Sequence, residues 1–235
     1  MSSELPPVIT IDGPGGSGKG TVGERLAYRF GWEFLDSGAL YRLVGLSALK
    51  KNYDLNNIAV IADLARHLDA QFAVQEANAG TESIILLEDQ DVTSELRTET
   101  CADAASRIAQ IPEVRVALLE RQRAFRVMPG LVADGRDMGT VVFVDAQLKV
   151  FLTASAEIRA ERRYKQLKDK VTGVSLSAIL AEIQARDERD TNRSVSPLIP
   201  ATDSIILDTS EMSVDDVEAQ ILELAQNRFR EELIS

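Results

Sequence analysis

The chain has 235 residues, 45% of them apolar and 27% charged, with a formal net charge of −11. That length suits one large α/β domain with small insertions and a sizeable core, and two independent domains are not expected. The composition excludes a disordered chain, no apolar run approaches the ~20 residues of a spanning helix, and the acidic balance argues against a general nucleic-acid surface, which needs a basic face.

Val8-Ile9-Thr10-Ile11-Asp12 reads as a short buried strand, and Gly13-Pro14-Gly15-Gly16-Ser17-Gly18-Lys19-Gly20-Thr21 follows it directly. The pattern is Gly-x4-Gly-Lys with a strand before it and an amphipathic helix, expected from 18 to about 30, after it. Such a loop turns successive backbone N–H groups into one concavity at the positive end of a helix, and Lys19 adds a mobile point charge for phosphates. Gly20 stands where many such loops place a Ser or Thr hydroxyl on magnesium, so the metal is expected to be held mainly by phosphates and waters.

Strand 33–35 and a helix from 38 to about 50 come next, then strands at Leu131-Val132-Ala133, Lys149-Val150-Phe151-Leu152 and Ile205-Ile206-Leu207. Five short, nearly all-apolar strands between helical segments predict a buried parallel sheet. Between about 70 and 100, Gln71-Phe72-Ala73-Val74 and Ser83-Ile84-Ile85-Leu86-Leu87 flank the turn-rich Asn78-Ala79-Gly80-Thr81, a hairpin inserted as a small subdomain. Residues 156–196 are helical and crowded with charge, centred on a turn at Thr172-Gly173. Cys101, the single cysteine, sits among alanines at helical spacing and is expected as a small buried thiol; His67, the single histidine, is expected to be structural or on the surface.

Four groups could carry chemistry. Ser37 and Arg42 follow the second strand, where an open parallel sheet turns its ligand crevice, although Ser37 or Asp36 could equally cap the helix and leave Arg42 solvated. Asp134-Gly135-Arg136-Asp137-Met138-Gly139-Thr140 follows the third of these strands. There Asp134 is placed to orient magnesium waters, and Arg136 and Asp137 set a donor fork beside an acceptor; a charged turn with internal ion pairs is the alternative. On the helix that starts near Leu176, the apolar stripe Leu176, Ile179, Leu180, Ile183 runs on to Asp187 and Asp190, and buried carboxylates need partners. Arg186, Asp190 and Arg193 share a face by spacing, the alternative being an exposed ion-paired helix. Arg115 opens a long helix at the end where a cation is disfavoured, while Arg121, Arg123 and Arg126 further along read as a solvated face.

Arg42, Arg136, Arg186 and Arg193 exceed what one nucleotide triphosphate needs and imply a second anionic substrate. No histidine, serine pair or cysteine dyad offers covalent catalysis, so direct in-line transfer is the simplest mechanism, with closure of the charged helices excluding water. A switch protein that binds ATP or GTP, a binding module without catalysis, and a kinase for another small acceptor such as UMP or shikimate remain as rivals.

The run Gly13 to Thr21, Leu35-Asp36-Ser37-Gly38-Ala39-Leu40-Tyr41-Arg42, Asp134 to Phe143 and Arg186 to Arg193 resemble the motifs of the bacterial cytidylate kinases, nearly from end to end. The resemblance implies a P-loop kinase core with an inserted nucleoside-monophosphate subdomain at about 62–112 and a short lid at about 156–186. It implies transfer from ATP, with Mg2+, to CMP or dCMP. Carried over by motif, Gly13 to Thr21 bind ATP, with Lys19, Arg136, Arg186 and Arg193 catalytic. Arg42, Arg136 and Arg193 hold the acceptor phosphate with Ser37 nearby, Arg186 and Asp190 reach the pentose, and Ser106, Arg115 and Asp137 read the cytosine. Expected partners are these small nucleotides, without nucleic acid or membrane, for a monomer in the cytoplasm.

Overall fold

The computed structural model describes residues 5–77, 80–168 and 174–232, without the side chains of 73–77, 80–83 and 230–232. In chain order the elements are β1 (Val8–Asp12), α1 (Lys19–Phe30), β2 (Glu33–Asp36), α2 (Ser37–Lys50), α3 (Ile58–Arg66), β3 (Ala70–Ala77), β4 (Gly80–Leu87) and β5 (Gln90–Asp91). They continue with α4 (Glu99–Ile108), α5 (Pro112–Arg123), β6 (Leu131–Gly135), β7 (Leu148–Thr153), α6 (Ala156–Leu167), α7 (Leu176–Asn192), β8 (Ile205–Asp208) and α8 (Val214–Glu232). The chain divides into two compact units, Met1–Asp36 with Gln122–Ser235, and Ser37–Arg121.

The first unit holds the five-stranded sheet, in the order β2-β6-β1-β7-β8 with every pair parallel. β1 and β6 are buried along their whole length, as unbroken apolar runs covered on both faces should be. The outer strand differs from expectation. Ile205 and Ile206 of β8 are 36% and 58% exposed, because a strand at the sheet's end is covered from fewer sides. Register pairs Asp12 with Gly135, and Ile11 and Asp36 with Asp134, so the carboxyl ends of β1, β6 and β2 share one edge. Beneath that edge Ile9, Ile11, Leu26, Val132, Leu152 and Ile221 form the core, each contributing about 1.5–3 kcal/mol by burial.

α6 and α7 pack together in this unit, each begun by a serine whose hydroxyl accepts a backbone N–H, Ser155 from Ile158 and Ser175 from Ala178. Of the predicted stripe on α7 only Ile179 is buried; Leu180 and Ile183 are half-buried and Leu176 is exposed. Burial grows toward the C-terminal turn, where Asp190 and Arg193 are inside. Ion pairs rather than apolar packing therefore anchor this helix. The predicted turn at Thr172-Gly173, and Asn78-Ala79 of the other one, lie outside the described residues.

In the second unit α2 is buried nearly all round, and its Gly45 lets α4 approach: a methyl there would stand 3.1 Å from the Ala105 nitrogen. β3 and β4 form the antiparallel hairpin that the sequence predicted, and β5 adds a third strand to it. The Cys101 thiol is buried and donates to the Arg42 carbonyl at 3.3 Å, while His67 is exposed at the end of α3.

Of the three later arginines only Arg123 is exposed as expected; Arg121 and Arg126 are half-buried. Arg121 donates to the carbonyls of Leu68 and Ala70 within the second unit. In the first, Arg123 donates to Val142 O, and Arg126 to Pro6 O and to Asp145. Backbone carbonyls left without a backbone partner need donors, and a long guanidinium reaches them.

Candidate active site

The phosphate loop spans the gap from β1 to α1. Gly13, at φ +151°, is obligatory: a Cβ would lie 2.1 Å from the Leu152 carbonyl oxygen. Lys19, the first residue of α1, is buried, with Nζ 3.3 Å from Pro14 O and 3.6 Å from Asp134 Oδ1. Burial, then Arg136 and Arg186, hold its ammonium below the ordinary lysine range, against the pull of Asp134 and Asp36. Asp134 is pushed up by its own burial and by Asp36, with Lys19 and Arg136 opposing. An anion placed here would relieve the crowding of cations.

The structure explains Gly20. A Cβ at this position would stand 3.2 Å from Asp134 Oδ2, so the carboxylate occupies the space in which a serine or threonine side chain would begin. Gly20→Ala is accordingly expected to hold or raise the melting temperature, since alanine is favoured over glycine inside a helix by about 0.5–1 kcal/mol. It should nevertheless lower turnover by roughly 10-fold, one 1.4 kcal/mol step, because Asp134 must shift. A melting scan and an initial-rate assay check both signs.

Arg136 and Arg186 converge on the same loop. A methyl on Gly15 would lie 3.5 Å from Arg136 Nη2 and 3.7 Å from Arg186 Nη1. Arg136 Nε donates to the buried Asp190 at 2.9 Å. Burial works against the ionised form of Asp190, yet Arg136, Arg186 and Arg193 together hold its carboxyl below the usual range. Arg193 is buried at the end of α7 and donates through Nε to the Ser196 carbonyl. Asp137 is buried too, immediately before a π-helical turn over Met138–Val142. A strand-end phosphate loop, a buried lysine and a cluster of arginines around one carboxylate can bind a polyphosphate and stabilise charge that moves along it.

The cytidylate kinase family model matches residues 9–227. This chain belongs to the cytidylate kinase family. Among its relatives, the cytidylate kinase of Pseudomonas putida (strain W619) is 60% identical over 227 residues, covering 96% of this chain and 98% of the relative. That of Shewanella frigidimarina (strain NCIMB 400) is 54% identical over 224 residues, covering 94% and 96%. Among solved structures, a gluconokinase from Sinorhizobium meliloti 1021 aligns at 15% identity with a TM-score of 0.49, covering 98% of each chain.

Within this cytidylate kinase family member, the residues expected at the site fall into two groups. Gly13 to Thr21, Asp134, Arg136, Asp137, Arg186, Asp190 and Arg193 belong to the first unit. Lys19, Asp134, Arg136, Arg186 and Asp190 meet there, whereas Thr21 is exposed on α1. Ser37, Arg42, Ser106 and Arg115 belong to the second unit. Ser37 and Ser106 are buried on α2 and α4, and Arg42 donates to Leu96 O at 2.6 Å. The Arg115 guanidinium lies 5.5 Å from the centre of the Tyr41 ring and donates to the Ala109 carbonyl, two contacts that offset its place near the wrong end of α5.

Sequence reasoning missed two residues. Arg159 of α6, buried, donates to Ala154 O, to Gly15 O of the phosphate loop at 3.0 Å, and to both oxygens of Asp187 at 3.1 and 2.5 Å. The unexplained carboxylate on the α7 stripe called for such a partner, but nothing local named it. Asp12, at the end of β1, is the second: its oxygens accept the N–H groups of Met138 and Gly139, each at 2.8 Å.

Proposed function

We propose that this chain transfers the γ-phosphate of ATP to CMP or dCMP, giving ADP and CDP or dCDP. What carries the reading is the convergence of Arg136 and Arg186 on Gly15, beside Lys19, in a member of the cytidylate kinase family. A donor polyphosphate needs the loop and the lysine; the further guanidiniums suit a second phosphate and the charge that develops between the two. The backbone of Gly13 to Thr21 would hold the donor, and Lys19 the phosphates nearest the bond that breaks. Arg136 and Arg193, with Arg42 and Ser37, are assigned to the acceptor phosphate, Arg186 and Asp190 to the pentose, and Ser106, Arg115 and Asp137 to the base. A carboxylate accepts from the exocyclic amine of cytosine and a guanidinium donates to its ring nitrogen and carbonyl, whereas uracil reverses that pattern and leaves buried polar groups unpaired.

Mg2+ fits this site through Asp134, a buried carboxylate beside Lys19 and against the Gly20 backbone. The ion would neutralise phosphate charge, with Asp134 orienting its waters. The inserted segment near 62–112 as the acceptor subdomain, residues 156–186 as a lid, a monomeric state and a cytoplasmic location are parts of the same reading.

An assay of ADP formation with CMP, dCMP, UMP, AMP and shikimate tests it. CMP and dCMP should be the preferred acceptors, and activity confined to any other would overturn the assignment.

ATP binding should also depend on pH in a definite direction. The folded lysine loses its proton below the ordinary value of 10.5, while phosphates favour the ammonium. Binding is therefore expected to take up a proton and to weaken as pH rises from neutrality toward that value. Calorimetry in two buffers of different ionisation enthalpy measures the uptake; none above neutral pH would remove Lys19 from the phosphates.

A further inference from the structure

We propose that Asp12 is a positioning residue for base recognition: from the end of β1 its carboxylate holds the backbone of Met138 and Gly139 and so fixes how Asp137 is presented. The inference rests on the CMP reading above.

The turn that follows Asp137 is closed by bonds from Val142 N and Phe143 N to the carbonyls of Asp137 and Met138, at 3.2 and 2.7 Å. Its first N–H groups have no partner inside the turn, as at the start of any helix. Ordinarily the residue just before would cap them with its own side chain. Asp137 stands there, at φ −147° and ψ 24°, and makes no such bond. The cap comes instead from Asp12, one oxygen to each N–H, across 126 and 127 positions of sequence. Asp137 is thereby spared the local role that an aspartate at this position usually fills.

The turn is also pressed close to its neighbours. A methyl on Gly139 would lie 2.9 Å from Thr10 Oγ1 and 3.1 Å from Lys149 Cδ, on β1 and β7. Asp12 thus ties the strand that launches the phosphate loop to the segment carrying Arg136 and Asp137.

The arrangement is costly. Burial pushes the Asp12 carboxyl up to about 7, with Asp137 and Asp134 adding to the rise and the two N–H bonds opposing it. A serine, threonine or asparagine in place of Asp137 could cap the same turn without a third buried carboxylate nearby. Asp137 stands at that position without capping the turn, which points to a task for its carboxylate beyond closing it.

Asp12→Asn keeps one acceptor and sets an amide NH2 against the other N–H. The loss of a cap corresponds to a change of about 10-fold in an equilibrium constant, and it should appear as a CMP KM raised about 10-fold. The ratio of kcat/KM for CMP to that for UMP should fall about 5-fold or more, since a misdirected acceptor discriminates less. Binding of a non-hydrolysable ATP analogue should stay within roughly 3-fold, the size of a minor perturbation. In Asp12→Asn/Asp137→Asn the CMP KM should be no higher than in Asp137→Asn alone. A lower melting temperature with unchanged CMP to UMP preference would make Asp12 a brace only, and an equal loss of nucleotide-analogue binding would assign it to the phosphate loop; either overturns the proposal. Should Asp12→Asn fail to fold, Asp12→Ser supplies a shorter acceptor, and a wild-type preference in that variant overturns it equally. A wild-type enzyme inactive on CMP would instead overturn the functional reading itself.

Discussion

Lys19→Met is expected to lower turnover by about 10²–10³-fold, the usual effect of removing one preorganised group that stabilises developing charge. Folding should survive. The ammonium is buried, and its nearest charged neighbours include Arg136 and Arg186, so in the free protein much of its attraction to Asp134 is offset by burial and like charge. Methionine fills similar volume with no charge to desolvate. Asp134, already raised by burial, loses an opposing cation and should move further up, so that it takes a proton nearer neutrality. Melting scans at neutral pH together with rates of ADP formation test the pair of claims. Turnover within about 3-fold of wild type, less than 1 kcal/mol of barrier, would mean that the lysine does not act on the transferred phosphate.

Asp190→Ala should be the most destabilising change in the site. The carboxylate is buried and bonded to Arg136, whose side chain is 15% exposed, and Arg186 and Arg193 also act on it. Removing it takes away the anion that all three guanidiniums act on, a change that costs about 3–5 kcal/mol where one partner of a buried pair is deleted. At about 2–4 °C per kcal/mol for a chain of this size, the melting temperature should fall by roughly 10 °C. Asp190→Asn should lose less, because its carbonyl still accepts from Arg136 Nε. Arg136→Lys should show the opposite balance, a modest loss of stability and a fall in turnover of about 10²-fold, since a point charge cannot reproduce a guanidinium fork. If Asp190→Ala melts within about 1 kcal/mol of wild type, the pair is effectively solvated and its burial counts for little.

Much of this was legible locally. A strand, a glycine-rich turn and a helix in succession identify the phosphate loop because each of the three depends on neighbours a few residues away. The spacing of Arg186, Asp190 and Arg193 placed two cations and an anion on one helical face, and all three do act together. The same periodicity misjudged Leu176, which is exposed, because α7 is held at its C-terminal end by charge. It also misjudged Arg121 and Arg126, which are half-buried: a helical wheel has no place for the distant carbonyls they reach.

By itself the sequence determined the parallel α/β core, the phosphate loop and the identity of the charged groups around it, since short-range pattern and side-chain chemistry suffice for those. Only the tertiary structure decided which charges meet. Arg159 finds Asp187 28 residues away, Asp12 finds Met138 126 residues away, and Asp134 lies against Gly20 across two strand-end loops. The first follows from the packing of α6 on α7 and the other two from the register of parallel strands, which brings distant carboxyl ends to one edge, and no period along the chain encodes either.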